Sequence, residues 1–351
     1  MKKKVFFILS SLTAGGSERV YWLLSQGLDK SLYDVYLVIL DSSRSFFSSD
    51  LKDVKVIDLK TAKASRSFFK LYRLLKKEKP YAVYTTGGQI NALVGFTSFF
   101  VDIPVLIARP SNVAEKAKFA GNKSKFLSLF TNIFYKRFSK IVCQSEEIKA
   151  GIVNKYGQLS QKMVVIPNPV VPTEIIKNGL ESRREKKLIV VARLAKQKGH
   201  ERLLEIFKEL PSNYSLTIVG DGPLKQEIID KVASLQLQGR VKVLGLVQGV
   251  PSLIAEHDLM VLPSFIEGFP NVVVEALSVG IPVISFKVGG ISQLIKNDFN
   301  GYILEQNDSE GFKNSIIKAA NKSWDASAIK NRVLEQFSID KVVQYYERLI
   351  A

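Results

Sequence analysis

The chain has 351 residues, 46% of them hydrophobic, and carries 50 Lys and Arg against 33 Asp and Glu for a net charge of +17. That length suits about two domains with full cores. A single cysteine, Cys143, excludes an internal disulfide framework and fits a reducing cytoplasm; it reads as a small buried apolar residue at a strand end. The charge is one-sided: residues 1–172 hold 27 Lys and Arg against 12 Asp and Glu, whereas the remainder is close to neutral. A basic half implies an anionic partner, either nucleic acid or an anionic membrane leaflet. With no nucleic-acid fold signature in the sequence, the membrane is the favoured partner.

Met1-Lys2-Lys3-Lys4 followed by Val5 to Leu9 imitates a signal peptide, but the apolar run is only five residues long before Ser10-Ser11. The reading adopted is a first strand leading through Gly15-Gly16 into a helix. Further strands are expected at 35–40, 54–59, 82–85, 105–108, 141–144 and 164–166, alternating with helices near 17–29, 66–78, 90–100, 122–138 and 146–156. The apolar stretch 92–107 carries Asp102 and Pro104 and falls short of the roughly 20 residues of a membrane span. A second set of strands is expected at 188–192, 215–219, 241–243, 259–262, 283–286 and 302–304. Alternation at this spacing implies parallel sheets covered on both faces. The expected domains are therefore 1–170, a linker at 171–187, and 188–337. Two such units leave a cleft where ligands bind.

Two helical stretches admit two readings each. Residues 123–140 mix Lys123, Lys125, Lys136 and Arg137 with Phe126, Phe130, Phe134 and Phe138, and residues 66–79 mix Arg66, Lys70, Arg73 and Lys77 with Phe68 and Phe69. Either the helix covers the sheet with its apolar face, or aromatics enter a lipid boundary while lysines meet anionic headgroups.

The most informative segment is Pro263 to Ala276, in which Glu267 and Glu275 bracket a turn and a helix start. A strand at 259–262 enters a loop, and Pro270 suits the first helical position. The N–H groups that follow, from Asn271 to Val274, lack intrahelical acceptors and form a site for phosphate or a developing oxyanion. A lone Glu at such a place simply complements the helix dipole. Here, however, Gly280-Ile281-Pro282 closes the helix, a buried strand follows, and Gly289-Gly290 turns into another helix. That succession is the rim of a doubly wound sheet, where ligands bind.

With seven residues between its two glutamates, the segment resembles the E-x7-E motif of retaining family 4 glycosyltransferases, which have the GT-B fold. Gly15-Gly16-Ser17-Glu18-Arg19 resembles that family's first glycine loop. Arg193 and Lys198, within Val190 to Gly199, resemble its phosphate-binding cations. Val219-Gly220-Asp221-Gly222 resembles its second glycine loop, and Asn300-Gly301-Tyr302 matches a late turn. The resemblance covers nearly the whole chain. It implies an α/β protein of two Rossmann-like doubly wound domains facing a cleft, with a last helix at about 338–351 packing back on the first domain.

It also implies roles. Arg193 and Lys198 would stabilise the departing diphosphate, with no metal or other cofactor expected. Glu267 would hold donor-sugar hydroxyls, Glu275 the ribose, and the backbone at Phe269, Asn271 and Val272 the sugar and phosphate. Gly220 lies on the donor side, and Gly16 would approach the diphosphate. Two departures from the family pattern stand out. Gln293 occupies a position where many relatives carry Glu, and the first domain has no His, since His200 and His257 both lie in the second and read as structural. Acceptor-side candidates are Arg109, Ser111 and Asn112 after the strand 105–108, and Gln89 after the strand 82–85.

The expected activity is transfer of a hexose or N-acetylhexosamine, from a nucleotide sugar with UDP favoured, to a lipid-linked glycan in bacterial surface-polysaccharide assembly. The enzyme would work in the cytoplasm, peripheral on the inner face of the membrane, without nucleic acid. Alternatives are an epimerase or a soluble-acceptor transferase on the same fold, and a basic nucleic-acid-binding protein. A dehydrogenase is disfavoured, because Gly220-Asp221-Gly222 lacks a third glycine and a suitable following acid.

Overall fold

The computed structural model describes residues 2–43, 45–61, 63–110, 133–154, 157–177 and 185–351. Contacts cluster into two compact units, Met1–Pro169 with Ile339–Ala351, and Val170–Ser338.

The first unit runs β1 (Lys3–Leu9), α1 (Gly16–Gly27), β2 (Tyr33–Ile39), β3 (Val54–Asp58), α2 (Ala64–Glu78), β4 (Ala82–Thr86), α3 (Gly88–Thr97), β5 (Val105–Arg109), β6 (Lys140–Cys143), α4 (Glu146–Val153) and β7 (Met163–Val165). Its seven strands lie in the order β3-β2-β1-β4-β5-β6-β7, all parallel. Residues 5–9 of β1 are fully buried, because helices cover both faces of a parallel sheet. Cys143 is fully buried too, and burial pushes its thiol up to about 12, so it serves as packing. Ser145 caps α4 by accepting from the Ile148 N–H at 3.2 Å.

The second unit runs β8 (Lys186–Val191), α5 (His200–Lys208), β9 (Tyr214–Val219), α6 (Lys225–Ser234), β10 (Val241–Gly245), α7 (Val250–Ala255), β11 (Leu259–Leu262), α8 (Asn271–Ser278), β12 (Val283–Phe286), α9 (Ile291–Leu294), β13 (Gly301–Leu304), α10 (Ser309–Ala320) and α11 (Ala326–Phe337). Its sheet is parallel in the order β10-β9-β8-β11-β12-β13. Asp308 and Asp325 cap α10 and α11, accepting from the N–H groups of Gly311 at 2.8 Å and Ala328 at 2.9 Å.

One further helix, α12 (Ile339–Glu347), belongs to the first unit. Val342, Val343 and Tyr346 enter the core formed by β1, β2 and α1. The Tyr84 hydroxyl donates to the Tyr346 carbonyl at 2.6 Å, and Glu347 accepts from the Asp29 N–H at 2.8 Å.

Strand order reverses at one place in each sheet: β1 neighbours β4 in the first, and β8 neighbours β11 in the second. Carboxyl-end loops diverge at such a point and leave a crevice. The loops concerned are those after β1 and β4 in one unit and after β8 and β11 in the other. Most expected candidates sit on these loops or in the helices they lead into.

One local expectation is corrected. Pro270 does not open α8; it is the N-cap, with φ −79° and ψ 94°, and the helix begins at Asn271. The extended cap conformation suits proline as well as the first helical position does, because both share its fixed φ.

Candidate active site

In the second unit, Lys198 ends a short 3-10 turn (Lys196–Lys198) after β8. Its ammonium meets both carboxylate oxygens of Glu267, at 2.7 and 2.8 Å, and the Ser264 hydroxyl donates to Oε1 of the same carboxylate at 2.7 Å. The pair is largely shielded, with 21% of the Lys198 and 10% of the Glu267 side chain exposed. The loops after β8 and β11 are stitched by backbone as well, since the Phe265 N–H donates to the Gln197 carbonyl at 2.9 Å. Gly199, at φ +71°, makes this approach possible: a Cβ there would lie 2.1 Å from the Pro263 carbonyl oxygen.

Arg193 is exposed on the same loop. Among the described residues its guanidinium makes no hydrogen bond or ion pair, which leaves its planar fork available to an anion. Gly220, after β9, packs directly beneath this loop. At φ +143°, a Cβ on it would sit 2.0 Å from the Ala192 carbonyl oxygen. Gly220 is therefore required for strand-end packing beside Arg193.

Glu275 lies in the second turn of α8 and is buried, as is Phe269, whose ring packs on Phe337 with centroids 5.9 Å apart. Asn271 and Val272 stay half-exposed at the start of α8. First-turn N–H groups point out of a helix start and confer partial positive charge there. One carboxylate thus stands before that start and the other within its second turn.

Three residues of this site carry no motif in the sequence. Arg202, one turn into α5, donates from Nε to the Pro263 carbonyl at 2.6 Å, from Nη2 to the Ser264 carbonyl at 2.7 Å, and from Nη1 to Gln306 Oε1 at 2.9 Å. Its guanidinium lies between the rings of Phe265 and Phe286, 3.8 and 3.9 Å from their centroids. Burial lowers its pKa to about 10, and it remains a cation. Gln306 in turn donates to the carbonyls of Ser264 and Lys287. Ser264, which grips Glu267, is thereby fixed from behind. Apart from a cation one turn after Lys198, nothing in the sequence marks this arrangement.

Neither histidine is exposed. His257 contacts the Leu253 carbonyl at 2.8 Å and the Thr217 hydroxyl at 2.9 Å, a structural arrangement. His200 opens α5, is 3% exposed, and finds no hydrogen-bond partner for either ring nitrogen among the described residues. Burial, then the nearby Lys198 charge, lowers its pKa to about 4, which keeps the ring neutral beside that cation.

In the first unit, Gly16 is exposed and opens α1. Arg109, expected on the acceptor side, is instead 3% exposed. Its guanidinium donates to the Ser17 and Thr86 hydroxyls at 3.3 Å each and to the Asn168 side-chain oxygen. It therefore ties the glycine loop after β1 to the loop after β4. Gln89 is exposed in the first turn of α3, while Ser111 and Asn112 lie outside the described residues. No three His, Cys, Asp or Glu side chains converge as a metal ligand set among the described residues.

Two parallel Rossmann-like sheets, each with such loops at its reversal point, form the GT-B architecture. The family model Glycosyltransferase Family 4 matches residues 14–174, and the model Glycosyl transferases group 1 matches residues 172–335. The chain belongs to the family 4 glycosyltransferases. The enzyme is 27% identical over 86% of its length to an Escherichia coli UDP-Gal:alpha-D-GlcNAc-diphosphoundecaprenol alpha-1,3-galactosyltransferase, covering 82% of that protein. It is 25% identical over 99% of its length to a Campylobacter jejuni transferase adding alpha-1,4-N-acetyl-D-galactosamine to a diphospho-undecaprenol-linked glycan, covering 98% of that protein. The glycosyltransferase also superposes on Anabaena HepE in complex with UDP and glucose, with TM-score 0.80, 18% identity, and coverage of 99% and 98% of the two chains.

Among the described residues, no helix of the glycosyltransferase is long and apolar enough to cross a membrane. Of the two stretches read as covering or interfacial, 66–79 falls on α2. Residues 123–132 of the other lie outside the described residues, and at its described end Tyr135 and Phe138 are buried against the sheet.

Proposed function

We propose that the enzyme moves a hexose or N-acetylhexosamine from a UDP-sugar to a lipid-linked glycan, with retention at the anomeric carbon. It would work at the inner, anionic face of a bacterial cell membrane in surface-polysaccharide assembly. The observation that carries the reading is the arrangement at the β8–β11 reversal point: the loop after β8 that carries Lys198, paired with Glu267, also carries Arg193, which among the described residues has no partner. The undecaprenol-linked acceptors in the names of the two relatives support the acceptor class, and the UDP and glucose of the solved relative support the donor.

In this reading Arg193 and Lys198 take up charge as the bond from the anomeric carbon to the diphosphate breaks. The start of α8 adds backbone donors at Asn271 and Val272, so fixed protein charge suffices without a metal. Glu267 holds sugar hydroxyls near the reacting carbon and, through its pair with Lys198, sets where that ammonium stands. Glu275 holds the ribose. The departing phosphate oxygen accepts the proton of the acceptor hydroxyl, which attacks on the face that the diphosphate leaves. No protein carboxylate is assigned as nucleophile.

Thermal unfolding with UDP-, GDP- and ADP-sugars tests the donor class, because a ligand that binds only the folded state raises its stability by mass action. A UDP-sugar should raise the midpoint most, and proton NMR of the product should show the donor's own anomeric configuration. Equal shifts with all three nucleotides, or an inverted product, would overturn the reading.

A further inference from the structure

The first unit exposes a contiguous aromatic surface that the transfer chemistry does not use. Phe69 on α2 is 70% exposed, and Phe96, Phe99 and Phe100, at and after the end of α3, are 41%, 50% and 57% exposed. Phe69, Phe96 and Phe100 form one cluster around the half-buried Phe68, whose ring lies 5.2 Å from those of Phe69 and Phe96 and 5.9 Å from that of Phe100, and the exposed Phe99 adjoins Phe100 in the chain. Soluble surfaces seldom leave this much ring area bare unless it binds something.

The rim of the cluster is cationic. Arg66, Lys70, Arg73 and Lys77 recur every three or four residues on α2 and are all exposed, so they share the helix face that carries Phe69. The one carboxylate on α2, Glu78, is paired with Lys4 at 2.8 Å. Arg137 lies 5.2 Å from the Phe99 ring and donates to the Ser98 carbonyl at 2.9 Å, adding a cation beside Phe99. The opposite face of α2, through Leu71 and Leu75, is buried in the core.

We propose that this α2–α3 surface is a bilayer-docking face, on which Phe69, Phe99 and Phe100 enter the acyl boundary while Arg66, Arg73, Lys77 and Arg137 engage anionic headgroups. The proposal rests on the reading of a membrane-bound acceptor and gives it a location. Aromatic tips ringed by cations match the two components of interfacial binding, apolar burial and attraction to anionic lipid. A second copy of the chain fits less well, because a two-fold contact would set the basic rims against each other. A single-stranded nucleic acid also fits less well. These rings pack mostly edge to face on one another and do not stand apart as stacking platforms.

The test is flotation of the full chain with vesicles of phosphatidylcholine alone and with about one-third phosphatidylglycerol, at low and high salt. The wild type should float only with anionic vesicles and release as salt rises. A Phe69→Ser, Phe99→Ser, Phe100→Ser variant and an Arg66→Glu, Arg73→Glu, Lys77→Glu variant should each lose vesicle partitioning by at least about tenfold. Both should keep the wild-type midpoint of thermal unfolding and its shift with UDP. Either variant partitioning like the wild type would overturn the location, as would the Phe variant converting a dimer to a monomer in light scattering. No wild-type flotation would overturn the membrane reading altogether. Loss of flotation in the variants together with failure of sugar transfer to any lipid-linked acceptor would leave the docking face standing and remove the acceptor assignment.

Discussion

The loops at the reversal points of the two sheets use arginine in opposite ways. At the end of β5 in the first unit, Arg109 is buried, and its two terminal nitrogens donate to Ser17, Thr86 and Asn168, bracing the segments after β1 and at the end of β4. After β8 of the second, Arg193 is exposed and, among the described residues, makes no such bond. Arg202, half-buried behind the second unit's loop, is likewise bonded to the protein, holding the carbonyls that carry Ser264 and, through it, Glu267. The difference separates cations that build a loop from a cation kept for a ligand. A buried guanidinium already bonded to the protein has little left to offer a phosphate, whereas an exposed one without protein partners keeps its planar fork for bidentate binding.

The sharpest break of this comparison comes from Arg193→Ala. Its expected effect is a loss of turnover on the order of 10²–10³ with no change in unfolding midpoint, since only the ligand contact is removed. Steady-state transfer at saturating donor measures it, and wild-type turnover would show that the exposed arginine is not a phosphate clamp. Arg202→Ala should do the reverse in kind. Three carbonyls lose their donor and two rings lose a cation, so stability should fall by about 2–4 kcal/mol in urea unfolding, with turnover falling as the Glu267 loop loosens. An unchanged urea midpoint would mean that the loop needs no support from behind.

The two glutamates sharpen the comparison further. Glu275→Gln should weaken binding of free UDP by about 1.5–3 kcal/mol, the value of a hydrogen bond to a charged group, whereas Glu267→Gln should leave UDP affinity near wild type and depress transfer. Isothermal calorimetry with UDP alone decides; equal losses in both variants would erase the division of roles.

The smallest effect concerns His200. Its pKa falls from an ordinary 6.5 to about 4 on folding, so between these values the unfolded chain binds more protons than the folded one. The stability tied to the neutral ring is therefore present above pH 6.5 and is lost as pH falls toward 4. Between pH 7 and 5 the loss should be about 2 kcal/mol, and His200→Phe should flatten that part of the stability profile. Identical pH dependence in the variant would assign the effect to other groups.

Much of the fold could be read from the chain because its signals are local. Short β-branched runs alternate with amphipathic stretches, and this specifies a parallel sheet wherever helices must cover both faces. Every expected strand is present, with ends shifted by one or two residues. The loop positions of Arg193, Lys198, Glu267 and Gly220 follow from the same reading, because carboxyl-end loops are where side chains leave the sheet. Partnership was not legible in this way. Arg109, Arg193 and Arg202 each sit near a strand end or helix start, and no spacing separates them. Their difference arises from what approaches them across 59 residues of sequence, as with Asn168, or across 62, as with Ser264.

The sequence by itself thus determined the class of fold, the chain order of its loops and the residue types on them, since periodicity, glycine placement and charge are properties of neighbours along the chain. Only the tertiary structure decided that Lys198 and Glu267 share one pair and that Val342, Val343 and Tyr346 are the α12 residues in the first unit's core. It alone also decided that Arg109 is buried while Phe69 is bare. Burial and hydrogen-bond satisfaction depend on segments brought together from far along the chain, and a linear pattern carries no record of them.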